Sequence, residues 1–90
     1  MKLLFCPDCG DVVQLRSAIR SCSCKAVEGR YVNDQLVEVT GERAEVLGMD
    51  SYSIQAGLTL VDVSEKRGPT IVAWMFPHGA EHVRRLGRKR

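Results

Sequence analysis

The chain has 90 residues, 44% of them apolar and 27% charged, which leaves room for one hydrophobic core, since a second would need roughly 50 more residues. That balance excludes a disordered chain and a fibrous one. The formal charge of +2 conceals a polarity, +2 over residues 1–30, −5 over 31–83 and +5 over 84–90, and so excludes one continuous cationic surface.

No apolar run approaches the ~18 residues that span a bilayer, and Met1-Lys2-Leu3-Leu4-Phe5 stops at Cys6-Pro7-Asp8 before a signal-peptide core can form. The expectation is a soluble, cytoplasmic protein without a membrane partner.

Lys2 to Phe5 reads as a short strand running into Cys6-Pro7-Asp8-Cys9-Gly10, with Asp11 to Arg16 as its return. Pro7 fixes φ and Gly10 is free to take a positive φ, so the thiols of Cys6 and Cys9 converge on one side of a hairpin tip. Ser17 to Ser21 turns the chain toward Cys22-Ser23-Cys24, with twelve residues between Cys9 and Cys22. All four cysteines thus lie between residues 6 and 24. A secreted miniprotein with two disulfides, an iron–sulfur centre and a redox dithiol are the alternatives to zinc. The paired spacing and the reducing compartment favour one structural Zn²⁺ held by Cys6, Cys9, Cys22 and Cys24. Four thiolates close its coordination sphere, so the ion is expected to support folding and no catalysis.

Gly29 to Val32 begins a new strand, Asn33-Asp34 marks a turn, and Gln35 to Thr40 alternates polar and apolar residues until Gly41. Ala44 to Gly48 reads as another strand. Asp50-Ser51 supplies an N-cap for a brief helix over Tyr52 to Gly57, and Leu58 to Val63 fits a helix end or a strand. Ser64 to Pro69 is a loop of charges and breakers. Thr70 to Phe76 is the most apolar run, with Ile71, Ala73 and Met75 facing one way and Val72, Trp74 and Phe76 the other. Such a pattern predicts a central strand covered on both sides. Ala80 to Leu86 is expected to form two helical turns, followed by a basic tail.

The predicted fold is α+β in a single domain spanning 1–90: a zinc ribbon (1–30) packed on a small, mostly antiparallel sheet with one or two short helices (31–83), then a basic tail (84–90). Phe5-Cys6-Pro7-Asp8-Cys9-Gly10-Asp11-Val12-Val13, Cys22-x-Cys24, Gly29-Arg30-Tyr31, Leu47-Gly48 and Ala73-Trp74-Met75-Phe76-Pro77 resemble small uncharacterised zinc-ribbon proteins of bacteria and their phages. The resemblance implies an N-terminal zinc ribbon fused to a small sheet, and no activity.

Two readings apply to each remaining feature. Arg16, Arg20, Lys25 and Arg30 near the metal end, and Arg84, Arg85, Arg88, Lys89 and Arg90 at the other, could track phosphates or an acidic partner. They could equally solvate the fold and offset its own acidic middle and the negative metal centre. Interleaved exposed aromatics for base stacking are missing. His78 and His82 stand at i, i+4 but next to Pro77 and Gly79, and read as surface histidines. No nucleophile, base or open metal site assembles, so the chain does not read as an enzyme. Trp74 and Phe76, if exposed, would form a partner surface or a homodimer seam. The reading is a structural-zinc module that binds a protein, as an adaptor or inhibitor, ahead of a nucleic-acid-binding zinc ribbon.

Overall fold

The computed structural model describes residues 1–60, 68 and 70–87. Readings on Val61 to Arg67 and Pro69, and on Arg88, Lys89 and Arg90, fall outside the described residues.

The fold is a small α+β one: strands β1 (Lys2–Phe5), β2 (Val12–Gln14), β3 (Arg20–Ser21), β4 (Glu28–Tyr31), β5 (Val37–Thr40) and β6 (Glu45–Met49), helix α1 (Ser51–Leu60), then β7 (Ala73–Met75) and β8 (Val83–Arg85). They form two four-stranded sheets, ordered β2-β1-β6-β7 and β3-β4-β5-β8. Every pairing is antiparallel except β5 with β8.

Alternation decides which side chains go inside. Leu4 of β1 stands opposite Val13 of β2 and Val46 of β6, and all three are buried. In the other sheet Val37 and Val39 point inward while Glu38 and Thr40 do not, as the polar–apolar alternation of residues 35–40 predicts. Both sets join one cluster with Leu15, Val27, Ala44, Val83 and two of the cysteines, Cys6 and Cys22. The candidate metal site is therefore an end of the hydrophobic core.

Local signals act where expected. Asn33 Oδ1 accepts the N–H groups of Gln35 and Leu36, fixing the turn before β5. Asp50 Oδ1 accepts the N–H of Tyr52 and so caps α1. Among the described residues no helix is long and apolar enough to cross a membrane.

Two expectations are corrected. Thr70 to Phe76 does not make a central strand: β7 covers only Ala73–Met75, ends its sheet, and leaves Trp74 44% and Met75 60% exposed. Its inner neighbour explains the placement, because Gly48 lies opposite Trp74 and the indole occupies the space of the missing side chain; a Cβ there would stand 2.5 Å from Trp74 Cε2. Ala80 to Leu86 is not helical either. Ala80 accepts the N–H of Val83, and the chain then runs as β8, with Val83 opposite Val37 and Leu86 donating its N–H to Val39. Burial of Val83 against the core outweighs helical propensity in so short a segment. Arg84 and Arg85, assigned to a basic tail, are consequently sheet residues.

Candidate metal centre

The four cysteines sit at the turns of two hairpins, one in each sheet. Cys6 and Cys9 lie between β1 and β2, and Cys22 and Cys24 between β3 and β4. In the first turn the Cys6 N–H donates to the Asp11 carbonyl (3.0 Å) and the Gly10 N–H to the Cys6 carbonyl (2.7 Å). In the second the Cys22 N–H donates to the Val27 carbonyl (3.2 Å) and the Lys25 N–H to the Cys22 carbonyl (3.1 Å). Each turn is thus closed by the same bond, from the first cysteine to the residue five places on.

The unequal cysteine spacing follows from the backbone. The second cysteine of each pair directly precedes a left-handed residue, Gly10 at φ 73° after Cys9 and Lys25 at φ 62° after Cys24. The left-handed residue comes one place earlier in the second turn, and its cysteine moves with it. Cys-x-Cys and Cys-x₂-Cys thus form turns, here called knuckles, that are closed in the same way. Lys25, the one described non-glycine residue with positive φ, was legible in sequence only as a cation.

Asp11 ties the two knuckles together. Its Oδ2 accepts both the N–H and the hydroxyl of Ser23, each at 2.9 Å, placing a carboxylate from the first hairpin against the residue between Cys22 and Cys24. Arg43, before β6, forms an ion pair with Asp8 on the outer side of the first knuckle.

All four sulfurs lie within 4.8 Å of one another, and Cys24 Sγ stands 3.6 Å from both Cys6 Sγ and Cys22 Sγ. A disulfide would bring two of them to about 2.05 Å. Sulfurs arranged tetrahedrally at about 2.3 Å from one ion lie about 3.8 Å apart. The two 3.6 Å separations are close to the second case and far from the first, and the four thiols lie near enough to one another to hold a metal ion. Cys6 and Cys22 are buried, and Cys9 and Cys24 exposed.

Crowding sets the protonation. Burial raises Cys6. The N–H groups of Cys24 and Asp11 hold Cys9 below its ordinary value. Burial pushes Cys22 up, but the Val27 N–H and the thiols of Cys24 and Cys6 outweigh it and bring Cys22 down to about 6. The Ala26 N–H pulls Cys24 down, but Cys22, burial, Cys6 and Cys9 together push it up to about 12. Cys6 and Cys24 therefore hold their protons more tightly than an ordinary thiol, and a cation among the sulfurs would favour their thiolate forms.

The other candidate residues do not gather. Arg30, Glu38 and Arg84 stand in one row across β4, β5 and β8, and Glu38 binds both guanidinium groups, at 3.3 Å and 2.7 Å. Arg85 donates to the Ala44 carbonyl and lies 3.8 Å from Glu45, which also holds His78 at 3.0 Å. Arg20 donates to the Gln14 carbonyl and Arg16 to the Gln14 side chain. Lys25 belongs to the second knuckle. Phe76 packs on the core and meets Trp74 edge to face at 6.1 Å, with Lys2 Nζ 5.5 Å above the Phe76 ring. His82 is exposed. Sequence reasoning missed Asp11 and Ser23, for which the one signal was a carboxylate directly after the first knuckle.

No family model, curated protein or solved structure matches the chain.

Proposed function

We propose that this protein is a non-catalytic module in which Cys6, Cys9, Cys22 and Cys24 hold one structural zinc ion and the remaining surface binds another protein. The observation that carries the reading is the cage of four sulfurs. A set of four sulfur ligands suits zinc, and four protein ligands leave no position for water or substrate. Two knuckles at the turns of two hairpins also fit the resemblance to zinc-ribbon proteins. With two of its ligands inside the core, the ion adds to folding directly, on the order of 10–16 kcal/mol apparent in small zinc peptides. Free thiols fit a reducing compartment such as the cytoplasm.

A protein partner is favoured over nucleic acid because three arginines among the described residues are held by the protein's own groups. Glu38 neutralises Arg30 and Arg84, and Arg85 lies over Ala44 and Glu45. The exposed Trp74 and Met75 supply the apolar contact that protein interfaces use.

Native mass spectrometry with elemental analysis tests the metal. One zinc per chain is expected, and a metal-free chain lighter by its thiol protons would replace the site with disulfides. Cys9→Ser should release the ion and unfold the N-terminal third. Titration with mixed single- and double-stranded nucleic acid at two salt concentrations tests the partner class. Tight binding that falls steeply with salt would reverse the preference.

A further inference from the structure

We infer that β7 pairs with β7 of a second copy, antiparallel about a twofold axis at Trp74, joining two sheets into one of eight strands.

Asp50 donates its N–H to the Val72 carbonyl and Phe76 donates to the Val46 carbonyl, while Gly48 stands opposite Trp74. In an antiparallel pair the bonded positions alternate, so Val72, Trp74 and Phe76 bond to β6. The N–H and C=O groups of Ala73 and Met75 point the other way, and among the described residues β7 ends the strand order on that side.

Folded proteins block such an edge with charge, proline or a bulge. From Thr70 to Phe76 there is no charged residue, no proline and no glycine. The strand is also flanked by exposed apolar side chains, with Val72 at 53% and Met75 at 60%. An edge like this accepts another strand.

Two features select a second copy as that strand. A segment without charge meets its own image without like-charge repulsion, as a twofold interface requires. The register also closes on itself. With the axis at Trp74, Ala73 faces Met75 of the second copy and Met75 faces its Ala73, so every outward N–H and carbonyl of both residues finds a partner. A small side chain lies beside a large one at each of these positions. The two Trp74 residues form the non-bonded pair between them, where cross-strand side chains approach most closely. On the opposite face, the row Leu3, Leu47, Met75 continues into Ala73 and Met49 of the second copy.

Sedimentation velocity of the full chain, zinc-loaded and under reducing conditions, tests the inference. At about 0.1 mM the wild type should sediment as a dimer that dissociates on dilution, with a red shift of Trp74 emission. Ala73→Pro removes an outward N–H and no bond to β6, and edge strands tolerate proline there. It should weaken dimerisation at least tenfold while the circular dichroism of the fold is kept, and this is the deciding result. Met75→Lys, at an exposed side chain, should do the same by placing charge on the edge. A wild type that stays monomeric at that concentration, or a dimer that survives Ala73→Pro with its fold intact, overturns the inference. The second outcome would assign the contact to side-chain faces and not to the strand edge.

Discussion

Asp11 Oδ2 accepts two hydrogen bonds from Ser23, one from its N–H and one from its hydroxyl, both at 2.9 Å. A single oxygen on the first knuckle therefore sets the position of the second. Asp11→Ala should weaken zinc binding by roughly 10- to 100-fold, the usual cost of losing an outer partner of a metal site. Ser23→Ala keeps the backbone bond and should lose less. Competition against a chromophoric chelator measures both, and an unchanged affinity in Asp11→Ala would show that the knuckles hold each other without it.

Zinc affinity should rise with pH. Cys22, at about 6, is already a thiolate near neutrality, whereas Cys6 is raised and Cys24 stands at about 12. Those two thiols must give up protons when the ion enters, so uptake should release at least their two protons, and affinity should climb with pH to match. As pH falls through about 6, Cys22 gains a proton as well and the dependence steepens. Calorimetry in buffers of different ionisation enthalpy counts the protons. An affinity that stays flat from pH about 6 to about 8 would contradict the thiol assignment.

Gly48→Ala should dislodge Trp74. The new Cβ would stand 2.5 Å from the indole Cε2, too close for any contact, but a ring that is 44% exposed can move outward. The expected result is a red-shifted tryptophan emission and a loss of about 1 kcal/mol, the low end for overpacking. Unchanged emission would mean that the indole does not lie on Gly48.

Glu38→Ala should leave Arg30 and Arg84 without their shared carboxylate. Both guanidinium groups are about half exposed, so the loss should be on the order of 1 kcal/mol and should shrink in high salt. The same variant should bind nucleic acid more strongly than the wild type at low salt, since two cations are released on one face. Thermal melts and a binding titration at two salt concentrations read both effects.

The candidate site was legible because cysteine pairs beside Pro7 and Gly10 leave the backbone few options, and the alternation at Val37 and Val39 and the cap at Asp50 were equally local. What escaped was decided at a distance. Alternation in Ile71 to Phe76 shows an extended strand with two apolar faces, but it cannot tell a central strand from an edge. Gly48, more than twenty residues upstream, makes the slot in which Trp74 lies. Ala80 to Leu86 reads as two helical turns, and only the pairing of Val83 and Arg85 with Val37 and Val39 reveals a strand. Asp11 was invisible as a partner of Ser23 because that bond depends on two hairpins meeting.

The placement of the cysteines also bears on the order in which the chain folds. Both knuckles lie within residues 6–24, whereas β1 must wait for β6 and β5 for β8. Closing a short loop is faster than closing a long one, and its entropy cost is smaller. If the cysteines hold the proposed ion, its capture would precede the sheets: it would join the β1–β2 and β3–β4 hairpins at their tips while β6 and β8 are still unpaired. The remaining strands would then add to the edges of a scaffold that the ion had already assembled.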